Sequence, residues 1–390
     1  MGLTGLSSGL LPALNDAMPS RLVPVLRDFL QRNAGARDAG VLLADYELRE
    51  LRRLSPRPDD DLTMSVENTN AGQCFLGQVV ITEPNEAGTS LLVPLSLRAE
   101  RLGVLEVLFD DQPMHADALR ELQEMALTIA YVLVACGACS DVVETARRAK
   151  PLSVAAEMQW NLQPLRAFSD QQFSVAGQLI PAYDVGGDCY DYNVGVDHLD
   201  LSSLDAMGHG VQASVLAGLS TAVMRNARRA GEGPAGQITL ADRLLLEYFD
   251  GDQFVTALAM RLTFANGHLE VVNAGHPCPW LVRQGQATPL ELDPQLPVGM
   301  FEKTDYRIQT LQLQPRDRLV LVTDGLLEAG APGPEFGDQR LAGLLLATAH
   351  LTPHRCVAEV LRTVRSFAAR MHDDATVICL DWHGPTATAP

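Results

Sequence analysis

The alternation of apolar and polar positions divides the chain into two differently patterned halves joined by a helical stretch. From about Leu22 to Phe109, short runs with β-like alternation are separated by turns: Gly40 to Asp45, Leu48 to Leu54, Gln78 to Thr82, Ser90 to Leu97 and Gly103 to Phe109. A helix-patterned segment, Arg21 to Gln31, precedes them, and the succession predicts an α+β module with an antiparallel sheet. From about Ala116 to Arg148 the period changes. Leu119, Leu122, Ala126, Ile129, Leu133 and Cys136 recur at gaps of three and four and form a heptad seam. Its register continues through Ser140, Val143 and Arg147, so the seam weakens, and Lys150-Pro151 is expected to break or kink the helix before a second piece from Leu152 to Leu162. The seam has two readings: packing on its own domain, or a parallel dimer whose linker transmits a signal.

Beyond Phe173 the pattern again favours strands, at Ser174 to Ile180, Leu199 to Leu204, Val255 to Leu262, His268 to Asn273, Leu319 to Thr323 and Thr376 to Leu380. Helical periods separate them, at Val211 to Arg229, Ile238 to Phe249, Asp338 to Leu346 and Cys356 to Met371. Many strands with a few helices suggest two packed sheets covered by helices. Disorder is expected only at the ends, in the Gly, Ser and Leu-rich first dozen residues and the Pro/Ala/Thr tail, 383–390.

Composition narrows the class. With 390 residues, 47% hydrophobic and 20% charged, the chain is long enough for two globular units. Met1 is followed by neither a basic region nor an apolar core of signal-peptide length, and no apolar run reaches the roughly 18 residues of a membrane span. A cytoplasmic location is expected. Seven scattered cysteines fit a reducing compartment, and Cys136-Gly-Ala-Cys139 lacks the second Cys/His pair of a zinc site. The net charge of −18 would repel nucleic acid, and a phosphate group too unless bound cations reversed the local sign.

Candidate chemistry rests on four aspartates, each expected at the end of a β-like run beside residues suited to tight turns. They lie in Val185-Gly186-Gly187-Asp188-Cys189-Tyr190-Asp191, Leu204-Asp205-Ala206-Met207-Gly208-His209-Gly210, Val322-Thr323-Asp324-Gly325 and His372-Asp373-Asp374-Ala375-Thr376-Val377. Carboxylates without ligand Cys or His select hard cations such as Mg²⁺ or Mn²⁺, and two such ions would activate a water against a phosphoryl group. Asp200, Asp317 and Asp338 are read as cap or turn residues, Asp191 as orienting water or capping a turn, and His209 and His276 as structural. No phosphate-binding P-loop or serine-hydrolase elbow is present.

These strings, with Thr256-Ala257, Asn273-Ala274-Gly275-His276-Pro277 and Leu313 to Leu321, resemble in order the motifs of the PPM/PP2C phosphatases, in the bacterial SpoIIE/RsbU-like branch. The resemblance covers about 170–382. It implies a PP2C-type α-β-β-α sandwich and two Mn²⁺ or Mg²⁺ ions on Asp188, Asp205, Asp324 and Asp373, with the carbonyl of Ala206 as a further ligand. Asp205 would bridge the ions; Asp374 is the alternative to Asp373. Residues 20–140 resemble a GAF-type sensor, and 141–169 form a helical linker in which Glu157-Met158-Gln159-Trp160 and Leu162-Gln163-Pro164 are similar to a regulatory segment of the same branch. The implied activity is hydrolysis of phosphoserine or phosphothreonine, with a phosphorylated STAS-domain anti-anti-sigma factor as substrate, a homodimer through the linker, and a signal or ligand on the GAF-like domain. The alternative is a catalytically weak phosphatase-fold scaffold that signals by binding.

Overall fold

Alternating apolar residues become the two faces of antiparallel sheets, and each face is closed by helices or by a second sheet. The computed structural model describes residues 7–55, 62–85, 88–110, 116–180, 183, 186–368, 371 and 373–385. The chain divides into two units, Met1–Pro151 and Leu152–Pro390.

The first unit contains α1 (Ser7–Asn15), α2 (Leu22–Ala34), β1 (Asp38–Ala44), β2 (Glu50–Arg53), β3 (Thr63–Ser65), α3 (Asn70–Gly77), β4 (Ile81–Asn85), β5 (Gly88–Leu97), β6 (Glu100–Phe109), α4 (Ala116–Gly137) and α5 (Val142–Arg147). Its sheet runs β3-β2-β1-β6-β5-β4 with antiparallel neighbours. One core joins Val41, Leu43, Leu91, Val93, Leu95 and Leu105 to the apolar sides of α1, α2 and α4. The alternate residues, Leu42, Ala44, Leu92 and Val104, pack with Cys74 and Phe75 of α3 on the opposite side.

Several expectations for this unit are corrected. The N-terminal segment is helical from Ser7, because Leu10 and Leu14 have a core to enter; residues 1–6 lie outside the described residues. The heptad seam faces inward: Leu122, Ala126, Ile129 and Leu133 are buried in this unit's core, with Leu119 and Cys136 packed against it. The long helix ends at Gly137 instead of running to Arg148, and the chain restarts as α5, where Ser140 Oγ accepts from the Val142 N–H at 3.3 Å. The strand expected from Gln78 begins at Ile81, because Thr69 caps α3 through the Gly72 N–H at 2.9 Å and Gln78 closes it with φ of 54°.

The second unit contains α6 (Val154–Leu162), β7 (Ala167–Ser169), β8 (Phe173–Ile180), β9 (Asp188–Val194), β10 (His198–Ala206), α7 (Gly210–Arg229), α8 (Pro234–Phe249), β11 (Val255–Thr263), β12 (His268–Ala274), β13 (Trp280–Arg283), β14 (Gln286–Pro289), β15 (Gln309–Gln312), β16 (Arg318–Val322), α9 (Asp324–Leu327), α10 (Gly337–Ala347), α11 (Pro353–Phe367) and β17 (Ala375–Trp382). One sheet runs β15-β12-β11-β10-β9 and the other β14-β13-β16-β17-β8-β7. Leu199, Leu201, Leu258 and Met260 of the first sheet meet Leu319, Leu321, Ile378 and Leu380 of the second in the central core. Outside the first sheet, Leu204, Ala206 and Ala257 pack on α7 and α8; outside the second, Val320, Val377 and Cys379 pack on α9 to α11. The result is a helix-sheet-sheet-helix sandwich. His383 is tied down, its N–H donating to the Gln172 carbonyl at 2.7 Å and its Nε2 lying 2.9 Å from Ser174 Oγ, so ordered chain extends past the boundary expected for the tail; residues 386–390 lie outside the described residues.

Candidate metal centre

The inward-facing rows of the two sheets change chemistry at one end. Along β10 the row reads Leu199, Leu201, Ser203, Asp205; along β9, Tyr190 is preceded by Asp188; along β11, Met260 and Leu258 lead to Thr256. Register aligns these ends, because Asp205 pairs directly with Asp188 on one side and Thr256 on the other. In the facing sheet, Leu321 leads to Thr323 and Ile378 leads back to Thr376 and Asp374. The polar ends of these rows form the candidate site.

The structure corrects the placement of two aspartates: Asp188 opens β9 and Asp373 precedes β17, so neither ends a strand. Asp188 is 2% exposed, and its Oδ2 accepts from the hydroxyls of Thr323 and Thr376, each at 2.7 Å. Asp374, equally buried, accepts at Oδ2 from the N–H groups of Gly187 at 2.9 Å and Asp188 at 3.4 Å, and from Gln159 Nε2 at 3.2 Å. Gln159, on α6, also donates to the Asp188 carbonyl at 2.6 Å. Asp324 begins α9 and accepts from the next N–H, Gly325, at 2.8 Å. Asp373 is exposed and likewise accepts from the Asp374 N–H at 2.8 Å.

Burial and mutual repulsion raise the proton affinity of this group. Asp188 is held well above the usual carboxylate range, first by burial, then by Asp374 and Asp205, with the two threonine hydroxyls opposing. Asp205 is pushed up to about 7 by burial, then by Asp324, Asp373, Asp374 and Glu328. Asp374 rises to about 6 through burial, against the lowering effect of Gln159 and the two backbone N–H groups. The exposed Asp373 and Glu328 are raised as well, by partial desolvation in the crowded group and by the charge of Asp324, while the Asp374 N–H and His209 act oppositely on Asp373.

These residues fit a hard cation. The donors are oxygens, the buried Asp374 Oδ1 has no hydrogen-bond partner, and the backbone is kept open where the strands end. A Cβ on Gly187 would lie 3.2 Å from the Ala206 carbonyl oxygen, and one on Gly325 would lie 1.9 Å from that of Asp374. Among the described residues, however, no three Asp, Glu, His or Cys side chains form a ready-made ligand set. Asp188 and Asp374 direct an oxygen to donors from elsewhere in the fold, Asp324 and Asp373 each accept from the next residue's N–H, and the charges of Asp324 and Asp373 act on Asp205.

Other expectations are revised. Asp191 does not cap a turn: it sits within β9 opposite Ser202 and pairs with Arg225 and Arg228 of α7, both at 2.8 Å. Arg225 also donates to the Leu162 carbonyl at 2.6 Å, holding the end of α6. Asp200 is a mid-strand residue paired with Arg261 at 2.8 Å, not a cap. Asp317 is a turn residue, accepting from the Gln314 N–H at 2.6 Å. Asp338 lies in the first turn of α10, and His209 stands exposed ahead of α7 without capping it. Sequence reading names neither Thr323 nor Thr376 as a partner of the site, though both stand inside its motifs, and it places Gln159 within a segment similar to a regulatory one without identifying its contacts with Asp188 and Asp374.

Residues 196–383 match the model of the Stage II sporulation protein E (SpoIIE) family. Protein IcfG of Synechocystis is 28% identical over 228 residues, covering 50% of this chain and 36% of that protein. Phosphoserine phosphatase RsbP of Bacillus subtilis is 29% identical over 154 residues, 38% of this chain and 38% of its own. The chain thus spans little more than a third of these relatives' length. In three dimensions, the SiaA-PP2C domain of Pseudomonas aeruginosa superposes with a TM-score of 0.51 at 22% identity, covering 58% of this chain and 94% of that domain, a likeness of fold. The matched residues lie within the second unit, and with the motif order and the site geometry these similarities support reading that unit as a PPM phosphatase domain of SpoIIE/RsbU type.

Proposed function

We propose that the chain is a Mn²⁺- or Mg²⁺-dependent protein serine/threonine phosphatase. The observation that carries this reading is the direct cross-strand pairing of Asp188 with Asp205 at the open end of a sandwich, where Asp324, Asp373 and Asp374 also gather. Like charges opposed across strands destabilise a sheet, so the arrangement makes physical sense as a cation site. Asp188, Asp205, Asp324, Asp373 and the Ala206 carbonyl are the proposed ligands, with Asp205 shared between two ions. Such ions supply an activated water nucleophile and offset charge on a phosphoryl group. Asp374 has a different role: its bonds to the Gly187 and Asp188 N–H groups anchor the start of β9. Thr323 and Thr376 orient the Asp188 carboxylate.

The substrate in this reading is a phosphorylated STAS-domain anti-anti-sigma factor, in a cytoplasmic partner-switching pathway. Among the described residues no helix is long and apolar enough to cross a membrane. An antiparallel sheet with α1, α2 and α4 on one face and α3 on the other supports reading the first unit as a GAF-like sensor that takes an upstream signal or ligand. A homodimer belongs to the same reading. The seam being buried, its contact would use the outer side of α4, where Leu127, Tyr131 and Val134 are exposed. The test is phosphate release from a panel of phosphorylated STAS proteins with Mn²⁺: turnover that Asp205→Asn abolishes is expected, and a wild-type chain inert with every divalent ion would overturn the reading.

A further inference from the structure

Thr256 is the cross-strand partner of Asp205 opposite Asp188, and its side chain meets a buried histidine. His276 is 4% exposed, and its Nδ1 lies 3.0 Å from Thr256 Oγ1. The loop that carries it is rigidly held. Asn273 Oδ1 accepts from the His276 N–H at 2.8 Å, and Asn273 Nδ2 donates to the His276 carbonyl at 2.9 Å. Gly275, between them, has φ of 76°, bridges Ala257 of β11, and would place a Cβ 3.0 Å from the Pro297 ring.

His276 Nε2 is buried with no hydrogen-bond partner, and that orphan decides between the two neutral tautomers. A proton on Nε2 would leave a buried N–H without an acceptor. A proton on Nδ1 donates instead to Thr256 Oγ1 and leaves only an unfilled acceptor, which interiors tolerate better. Burial keeps the ring neutral, holding its pKa down to about 3. Once Thr256 Oγ1 accepts from His276, its own proton is free for another acceptor, and the side chain paired directly beside it on the same face is that of Asp205.

We infer that Thr256 and His276 form a positioning pair for the shared ligand Asp205, with His276 as the Nδ1–H tautomer aiming the Thr256 hydroxyl at the Asp205 carboxylate. Neither residue touches the reacting atoms; they fix the carboxylate that does. The inference rests on the metal-site reading above, and it identifies outer partners of a ligand, which commonly alter metal affinity by roughly ten- to a hundred-fold.

The experiment titrates Mn²⁺ into the full chain, following free Mn²⁺ by electron paramagnetic resonance, for wild type, Asp205→Asn, Thr256→Val and Thr256→Ser. Thr256→Val keeps the branched shape and is expected to weaken Mn²⁺ binding by about tenfold and to lower the melting temperature, because the buried His276 Nδ1–H loses its acceptor, while Thr256→Ser restores both. Wild-type affinity in Thr256→Val overturns the inference and leaves the phosphatase reading intact, whereas failure of wild type to bind Mn²⁺ overturns both. A measurement independent of folding effects is ¹⁵N–¹H correlation of the histidine rings, with the His276 signal assigned by its loss in His276→Asn. The Nδ1–H pattern is expected; the Nε2–H pattern would overturn the proposal.

Discussion

Asp188 and Asp205 face each other across β9 and β10 as directly paired residues, two carboxylates where a sheet ordinarily places opposite charges or apolar side chains. Replacing Asp205 by Asn removes one member of the pair. The metal-free variant is expected to melt no lower than wild type in EDTA, because a repulsion is lost. Phosphate release is expected to fall to background; retained turnover would show that the carboxylate is not a ligand.

Raised carboxylate pKa values predict a stability that declines with pH. Asp205 at about 7 and Asp374 at about 6 bind protons more tightly in the folded state than their ordinary value of 3.8 allows when unfolded. Their contribution is therefore complete below about pH 4 and is lost as pH rises through 6 and 7. His276, lowered to about 3, acts in the other direction, but only below its ordinary 6.5. Between pH 6.5 and 8 the EDTA-treated protein should lose melting temperature, and Asp205→Asn should flatten that slope. A slope identical in the two proteins would refute the assignment.

Gln159 reaches from α6 to two parts of the site, the Asp188 carbonyl and Asp374 Oδ2. Gln159→Leu strips donors from two buried acceptors and is expected to destabilise by about 1–3 kcal/mol. Chemical denaturation measures the loss, and a Mn²⁺ titration should show weaker binding because the start of β9 is less firmly held.

Asp191 is 4% exposed and balances Arg225 and Arg228. Asp191→Ala leaves both guanidinium groups short of a partner, and an unfolding free energy lower by about 3 kcal/mol is expected. A change within about 0.5 kcal/mol would mean that the pair is solvated like a surface bridge.

The two sides of α4 should respond differently. Leu133→Ala opens the first unit's core and should reduce stability by about 2–5 kcal/mol. Leu127→Asp, at an exposed position, should leave folding nearly intact and convert a dimer to monomer in sedimentation. A Leu127→Asp chain that still sediments as a dimer would remove that surface from consideration.

Much was legible in the sequence alone. Alternation located most strands of the second unit, because an inward row of Leu, Val and Ile is required wherever two sheets share a core. The Asp-Gly strings marked loops that approach one another, and the order of Thr323-Asp324-Gly325 and Asp373-Asp374-Ala375-Thr376 already contained the threonines that hold Asp188. Local pattern erred where the chain's fate depended on distant packing. The heptad seam was sound as a helix period, but only the tertiary fold decided that it would bury against the unit's own sheet. Register was decided there too: pairing Asp188 with Asp205, and Asp205 with Thr256, needs three strands aligned by their cores. The contacts of Gln159 with Asp374, Asp191 with Arg225 and Thr256 with His276 join residues up to 215 positions apart. Residue types and spacing determine which chemistry the chain carries; which carboxylate is tethered, repelled or left open depends on neighbours that only folding brings within hydrogen-bond reach.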